Sequence, residues 1–212
     1  MNRMIDIVVP NNNEEEFITI AEKLGYKGLF FLYNPNDYLD KHQKLKIKNT
    51  KIKIHTGIVV DNREIHKVNN IFKKQSFSGG LKNEKDFIVV KSSTNDTEAI
   101  EKLKPDVIFS FEDNIKKDFV HQRASGLNHI LCKSAKDNGV MIGFSLSSIL
   151  NTEDKHKILG RMMQNIGLCR KYKVKMIIAS FARSPFGMRS PHDLIGLFKV
   201  LGCENPSFLG NV

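Results

Sequence analysis

The stretch SFARSPFGMRSP, residues 180–191, concentrates the clearest chemistry in the sequence. Arg183 and Arg189 are separated by a proline, a phenylalanine and a glycine, with no acid between or beside them. A guanidinium presents a planar fork of donors that grips phosphate oxygens and stacks on nucleic-acid bases. Pro185 stiffens this loop and Gly187 permits a turn. Ser190 reads as a helix N-cap, Pro191 as the first helical position and Asp193 as the acid three residues after the cap. The following helix therefore starts beside the arginines and adds its partial positive charge. Such a loop suits an anion, phosphate most simply, or RNA. The plain alternative is a solvated surface loop.

Other chemistries find less support. A metal-dependent hydrolase needs histidines and carboxylates converging on one mouth. The seven histidines, His42, His55, His66, His121, His129, His156 and His192, form no HxH, HExxH or HxxxH pair. Asp6, Glu112 and Asp113 could add carboxylates, but spacing alone does not show whether they converge. No GxSxG, GxxxxGK[ST] or GxGxxG motif occurs, and FSGGLKN (77–83) follows a predicted helix and reads as a loop. Cys132, Cys169 and Cys203 are far apart in sequence and odd in number, which disfavours disulfides and a zinc cluster. They read as small buried apolar residues.

These residues must be held by an alternating framework. Continuous apolar runs predict strands at 4–10, 28–33, 51–60, 86–92, 105–111, 140–146 and 174–182. Helices are expected at 14–25, 63–74, 95–104, 125–139, 154–173 and 190–202, with Gly25 and Gly139 as stops. Strands apolar on both faces, alternating with helices, indicate an α/β protein with a parallel sheet. No linker splits the chain, so 1–212 is expected to be a single domain. A doubly wound sheet and a closed barrel both fit, and the number of similar strand–helix units favours a TIM-like (β/α) barrel of about seven parallel strands. In either architecture the functional residues gather at the carboxyl ends of the strands, where SFARSPFGMRSP lies.

Charge points the same way. Lys and Arg number 33 against 23 Asp and Glu, a formal net charge of +10, which favours a polyanionic partner, nucleic acid above all. The run 41–53 holds six lysines and a histidine without an acid, either a solvated connector or a phosphate-contacting surface. Along 154–173, Leu159, Met162, Met163, Ile166 and Cys169 form an apolar stripe, with Lys157, Arg161, Gln164 and Lys171 on the opposite, basic face. No apolar run approaches the roughly 20 residues that span a bilayer, and the first residues lack a signal-peptide core. A cytoplasmic location, away from membranes, is expected.

The strings SGLNHILCKSAKDNGVMIGFSLSSIL (125–150) and ILGRMMQNIGLCRKYKVKMIIASFARSPFGMRSPHDLIGLF (158–198) together resemble the ribonuclease P protein component 3 family, the archaeal counterpart of the thirty-kilodalton eukaryotic ribonuclease P subunit. The resemblance implies a TIM-like barrel related to the polymerase and histidinol phosphatase (PHP) hydrolases. It implies a subunit of a ribonucleoprotein endonuclease that removes the 5′ leader of precursor tRNA, with catalysis by ribonuclease P RNA and its Mg²⁺ and no cofactor on the protein. The implied partners are that RNA, component 2 by direct pairing, other ribonuclease P proteins, and precursor tRNA in the assembled particle. Positions matching the family's basic and polar motif residues are Arg123, His129, Lys133, Arg161, Arg170, Arg183 and Arg189, the expected RNA contacts. Residues 60–120 depart from the family in holding a single arginine, Arg63. IDIVVP lacks the histidine-rich strand end of active PHP hydrolases. A stand-alone metal-dependent PHP-type phosphoesterase and a purely structural scaffold are the alternatives.

Overall fold

The computed structural model describes residues 4–44, 50–61, 87–93, 95–114, 117, 118, 120, 121 and 123–209. The predicted helix at 63–74, the loop at 77–83 and residues 45–49 of the lysine-rich run lie outside the described residues. Seven strands follow in order: β1 (Ile5–Val8), β2 (Gly28–Tyr33), β3 (Lys53–Asp61), β4 (Phe87–Lys91), β5 (Val107–Phe109), β6 (Met141–Ser145) and β7 (Met176–Ala179). Each pairs in parallel with the next, so sheet order equals chain order.

The first and last strands approach each other and nearly close a barrel. Beyond β7, Phe181 N donates to Ile7 O at 2.8 Å and Val9 N to Ala182 O at 2.9 Å. At the opposite end the C-terminal segment fills the seam: Leu209 bridges antiparallel to Ile5, and Ile178 N donates to Ser207 O at 2.9 Å. A curled parallel sheet thereby leaves no long unpaired edge between its first and last strands.

The two-residue period of the strands divides the apolar side chains between two cores. Ile5, Ile7, Leu32, Val89, Val107, Phe109, Ile177, Ala179 and Phe181 fill the barrel interior. Val8, Phe31, Val90, Ile108, Phe144 and Ile178 face outward against the helices. Phe109 and Phe181 stack inside with centroids 4.1 Å apart and planes 5° from parallel. Gly143 makes room for them, since a Cβ there would stand 3.0 Å from Phe109 Cβ and 2.8 Å from Val107 Cγ1.

The outer helices are α1 (Glu14–Leu24), α2 (Pro35–Lys44), α3 (Asp96–Glu98, continued by a π-helical segment Ala99–Leu103), α4 (His129–Asn138), α5 (Leu146–Leu150), α6 (Lys155–Tyr172) and α7 (Pro191–Val200). Two of these were not expected. Helix α2 falls in a polar stretch where, among the described side chains, Pro35 and Tyr38 are the buried anchors. Helix α5 begins where an apolar strand reading runs on. There Ser145 Oγ accepts from Ser148 N at 3.3 Å and caps it. Among the described residues no helix is long and apolar enough to cross a membrane. All three cysteines are buried and free.

Candidate nucleic-acid interface

A cavity of about 1120 Å³ opens at the carboxyl ends of the strands. Strands β2 to β7 each deliver a residue to its wall at or just beyond their ends: Tyr33, Asp61, Lys91, Ser110, Ser145 and Arg183. Phe109 and Phe181 form its apolar floor. Ser110 and Phe181 hold φ of +63° and +48°, a left-handed turn that swings the chain off β5 and β7 at the rim. A hydroxyl chain lines one side. Ser148 Oγ donates to Asp113 Oδ2 at 2.9 Å and lies 3.3 Å from Ser110 Oγ, and Ser147 Oγ donates to Phe181 O at 3.1 Å.

Among the described residues the wall carries Lys91, Lys157, Arg161 and Arg183 against Asp37, Asp61, Asp113 and Asp154, and no histidine. Lys157 is held by Asp154 at 2.9 Å. The three candidate carboxylate ligands do not meet. Asp6 shares the outward face of β1 with Val8, where Ile7 N and Ser180 N donate to its Oδ1 at 2.9 and 2.7 Å. Its burial pushes that carboxyl up to about 6. Glu112 is buried beneath α6, and Asp113 lines the mouth. Among the described residues, no three histidine, cysteine or carboxylate side chains gather as a metal set.

Arg183 is exposed on the cavity wall and makes no hydrogen bond or ion pair among the described residues. Arg189 is also exposed, but it is not wholly free as its acid-free surroundings suggested. Its Nη1 donates to Phe186 O at 2.8 Å and Met188 O at 2.7 Å, and Tyr26 Oη donates to its carbonyl at 2.8 Å. It braces the loop from within and lies outside the cavity wall. Ser190 caps α7 as expected, accepting from Asp193 N at 3.2 Å behind Pro191 at the first turn.

Arg161 requires a correction. The helical stripe placed it on a solvated basic face, whereas it is 3% exposed and Met163, assigned to the core, is 52% exposed. That face of α6 is covered because Glu112, Asp118 and Ser125, from the connection before α4, pack on it and need partners. Arg161 Nε donates to Asp118 Oδ1 at 2.8 Å and Nη1 to Glu112 O at 2.9 Å. One turn on, Asn165 Nδ2 donates to Glu112 Oε1 at 2.7 Å and to Ser125 O at 2.8 Å. A donor from Ala124 N, then Arg161, holds the Asp118 carboxyl below the usual range. Burial pushes Glu112 up to about 7, against the Asn165 hydrogen bond. The pair Arg161 and Asn165 thus clamps the connection that leads into α4.

Arg123 sits on that clamp. Its guanidinium crosses Gly160 so closely that a Cβ there would stand 2.4 Å from Cζ, and its Nη1 lies 3.9 Å from Asp118 Oδ2. His129 and Lys133 are exposed on α4, whose cap Asn128 accepts from Ile130 N and Leu131 N, both at 2.9 Å. Arg170 is exposed near the far end of α6, paired with Glu204 and donating to Gly202 O at 3.3 Å. Arg161 and Arg183 therefore share the mouth and Arg123 joins Arg161 at Asp118, while His129, Lys133 and Arg170 stand away from the cavity wall. Within the lysine-rich run, Lys41 is screened by Glu14 at 3.0 Å, although the run itself holds no acid. Lys91 escaped sequence reading. Only the position of its strand end signals it.

Seven parallel strands curled into a nearly closed barrel, with helices between them, make a TIM-like fold. It aligns with histidinol phosphate phosphatase from Lactococcus lactis, a structure containing zinc, L-histidinol and phosphate. The TM-score is 0.62 at 10% identity, over 99% of this chain and 98% of that one. The chain belongs to the RNase P subunit p30 family, whose model matches residues 3–207.

Ribonuclease P protein component 3 of Methanosarcina acetivorans is 27% identical over 203 residues, covering 94% of this chain and 79% of that protein. The protein of the same name from Methanococcoides burtonii is 27% identical over 200 residues, covering 91% and 75%. A chain in the cryo-EM structure of archaeal ribonuclease P with mature tRNA superposes with a TM-score of 0.68 at 18% identity, over 92% of this chain and 82% of that one.

Proposed function

We propose that this chain is a protein subunit of ribonuclease P, and that it binds and supports the catalytic RNA while supplying no catalytic residue itself. The observation that carries this reading is the family match across 3–207, which includes the strand-end loop bearing Arg183 and Arg189. The cationic rim supports it physically. Arg183 is exposed and unpaired among the described residues at the mouth, on a chain of formal charge +10. Phosphate neutralisation by such groups releases counterions from RNA and supplies sequence-independent affinity. Arg123, His129, Lys133, Arg170 and Arg189 extend the contact surface. Arg161 acts through Asp118, keeping the connection beneath Arg123 in place.

In the particle, the RNA and its Mg²⁺ cleave the 5′ leader from precursor tRNA, and the chain pairs directly with component 2. The stand-alone phosphoesterase is not favoured, because the mouth lacks a converging ligand set among the described residues. Reconstituted cleavage of precursor tRNA tests the reading. RNA and the remaining proteins should gain activity when this chain is added, and the chain alone with Mg²⁺ or Mn²⁺ should release no leader. Specific leader release by the chain alone overturns it. RNA affinity should also fall with salt. Contact with about five phosphates gives a log–log slope of about −3.5 to −4.5, and a flat response would point to a scaffold.

A further inference from the structure

We propose that Phe186 is a base-stacking platform, and that the rim loop takes one unpaired nucleotide of RNA, its base on the Phe186 ring and its phosphate on Arg183. The proposal rests on the RNA-binding reading above and names the form of RNA that this loop accepts.

Phe186 is 80% exposed, the one aromatic among the exposed large apolar side chains of the described residues. A ring left in water forgoes the burial that stabilises most aromatics. Its backbone is nonetheless fixed. Gly187 N donates to Ser184 O at 2.9 Å, Met188 N to Pro185 O at 3.1 Å, and Arg189 Nη1 to Phe186 O at 2.8 Å. Pro185 and Met188, on either side of the turn, are buried. Gly187 lies so near Ala182 that a Cβ would meet Ala182 Cβ at 3.3 Å. The fold thus anchors the neighbours and presents the ring outward, which lowers the ordering entropy lost on binding.

The surroundings select the partner. Residues 180–192 contain two arginines and a histidine and no acid. Arg183, three residues before the ring, lines the cavity. Helix α1 packs against the turn, and its first acid, Glu14, is held by Lys41 at 3.0 Å. An exposed aromatic ring and a guanidinium on one short loop are the groups that bind single-stranded nucleic acid, the ring taking the base and the cation the phosphate. Bases inside an A-form helix have both faces covered, and the deep major groove excludes side chains, so only an unpaired or terminal nucleotide can stack here.

The chain contains no tryptophan, so Phe186→Trp introduces a single, selectively excited tryptophan at the proposed contact. A short single-stranded RNA oligonucleotide and a blunt duplex of the same length are titrated into the full chain. Single-stranded RNA should quench the Phe186→Trp emission and bind that variant as tightly as the parent. Phe186→Ala should weaken single-stranded binding on the order of tenfold with an unchanged salt slope, because stacking releases no counterion. Arg183→Ala should lower the slope by about 0.7.

Unchanged affinity in Phe186→Ala with no quenching in Phe186→Trp overturns the proposal while leaving RNA binding by the chain intact. Equal losses for duplex and single strand overturn it as well. A Phe186→Ala chain that keeps RNA affinity but fails to associate with its protein partner makes the ring a protein contact, which also overturns it. A parent chain without salt-sensitive RNA affinity overturns the underlying RNA reading, and this proposal with it.

Discussion

Replacing Arg161 by methionine separates an arginine that holds the fold from one proposed to meet RNA. Methionine keeps most of the aliphatic packing and removes the guanidinium. Among the bonds lost are the 2.8 Å ion pair to Asp118 and the 2.9 Å donor to Glu112 O. Removing one partner of a fully buried pair costs about 3–5 kcal/mol. Asp118 is not fully buried, with 22% of its side chain exposed, and it keeps Ala124 N as a donor at 2.9 Å. Water and that donor reduce the penalty, while the buried Glu112 carbonyl loses its Arg161 donor at about 1–3 kcal/mol. A net loss of about 2–4 kcal/mol follows, which for a chain of this length lowers Tm by about 5–15 °C.

Urea and thermal denaturation measure it, and RNA affinity is taken at a low temperature where far-UV circular dichroism shows the variant folded. Arg183→Met, on the exposed rim, should leave stability within about 0.5 kcal/mol and weaken RNA binding. The reasoning fails if Arg161→Met keeps its Tm within about 1 °C yet loses RNA affinity as Arg183→Met does.

Glu112→Gln should stabilise the protein in alkaline solution. The folded carboxyl titrates near 7 against an ordinary 4.5, so its contribution is fully present below 4.5 and is lost as pH rises through 7. Glutamine removes that decline, a gain of up to about 3 kcal/mol at pH 8.5 and little at pH 5, read from urea midpoints at the two values. Asn128→Ala should cost about 1 kcal/mol through the loss of two cap bonds to α4, seen as a fall of a few degrees in Tm. Gly160→Ala should displace the Arg123 guanidinium, which is half exposed and flexible, while leaving Tm unchanged or slightly raised. Any fall in RNA affinity then isolates the placement of Arg123. A Tm loss of several degrees would show the contact to be structural.

All seven strands were legible because a parallel strand covered on both faces is apolar at nearly every position, as in GLFFLY and FIVVK. Their ends were less so. The apolar run at 105–111 predicts a long strand, but only Val107–Phe109 pair, since Ser110 turns left-handed to leave the barrel. Helix α7 and its Ser190 cap were readable from local rules, which need only neighbours in sequence. Arg161 was not. Its type and helical phase look identical whether a polar connection covers that face or water does, and the partner Asp118 lies 43 residues away. The solvent-facing ring of Phe186 was hidden for the same reason.

The sequence by itself therefore determined the alternation of strands and helices, the end of the sheet where the candidate site lies, the cationic character of the chain and the motif strings of its family. Each of these depends on periodicity, composition or short-range order. Tertiary structure alone decided how the barrel nearly closes, with Leu209 and Ser207 filling the seam beside Ile5 and Ile178. It also decided which arginines are interior struts and which are free at the rim. Burial and pairing are set by residues distant in the chain, and a guanidinium becomes a clamp or a ligand contact only through what the fold places against it.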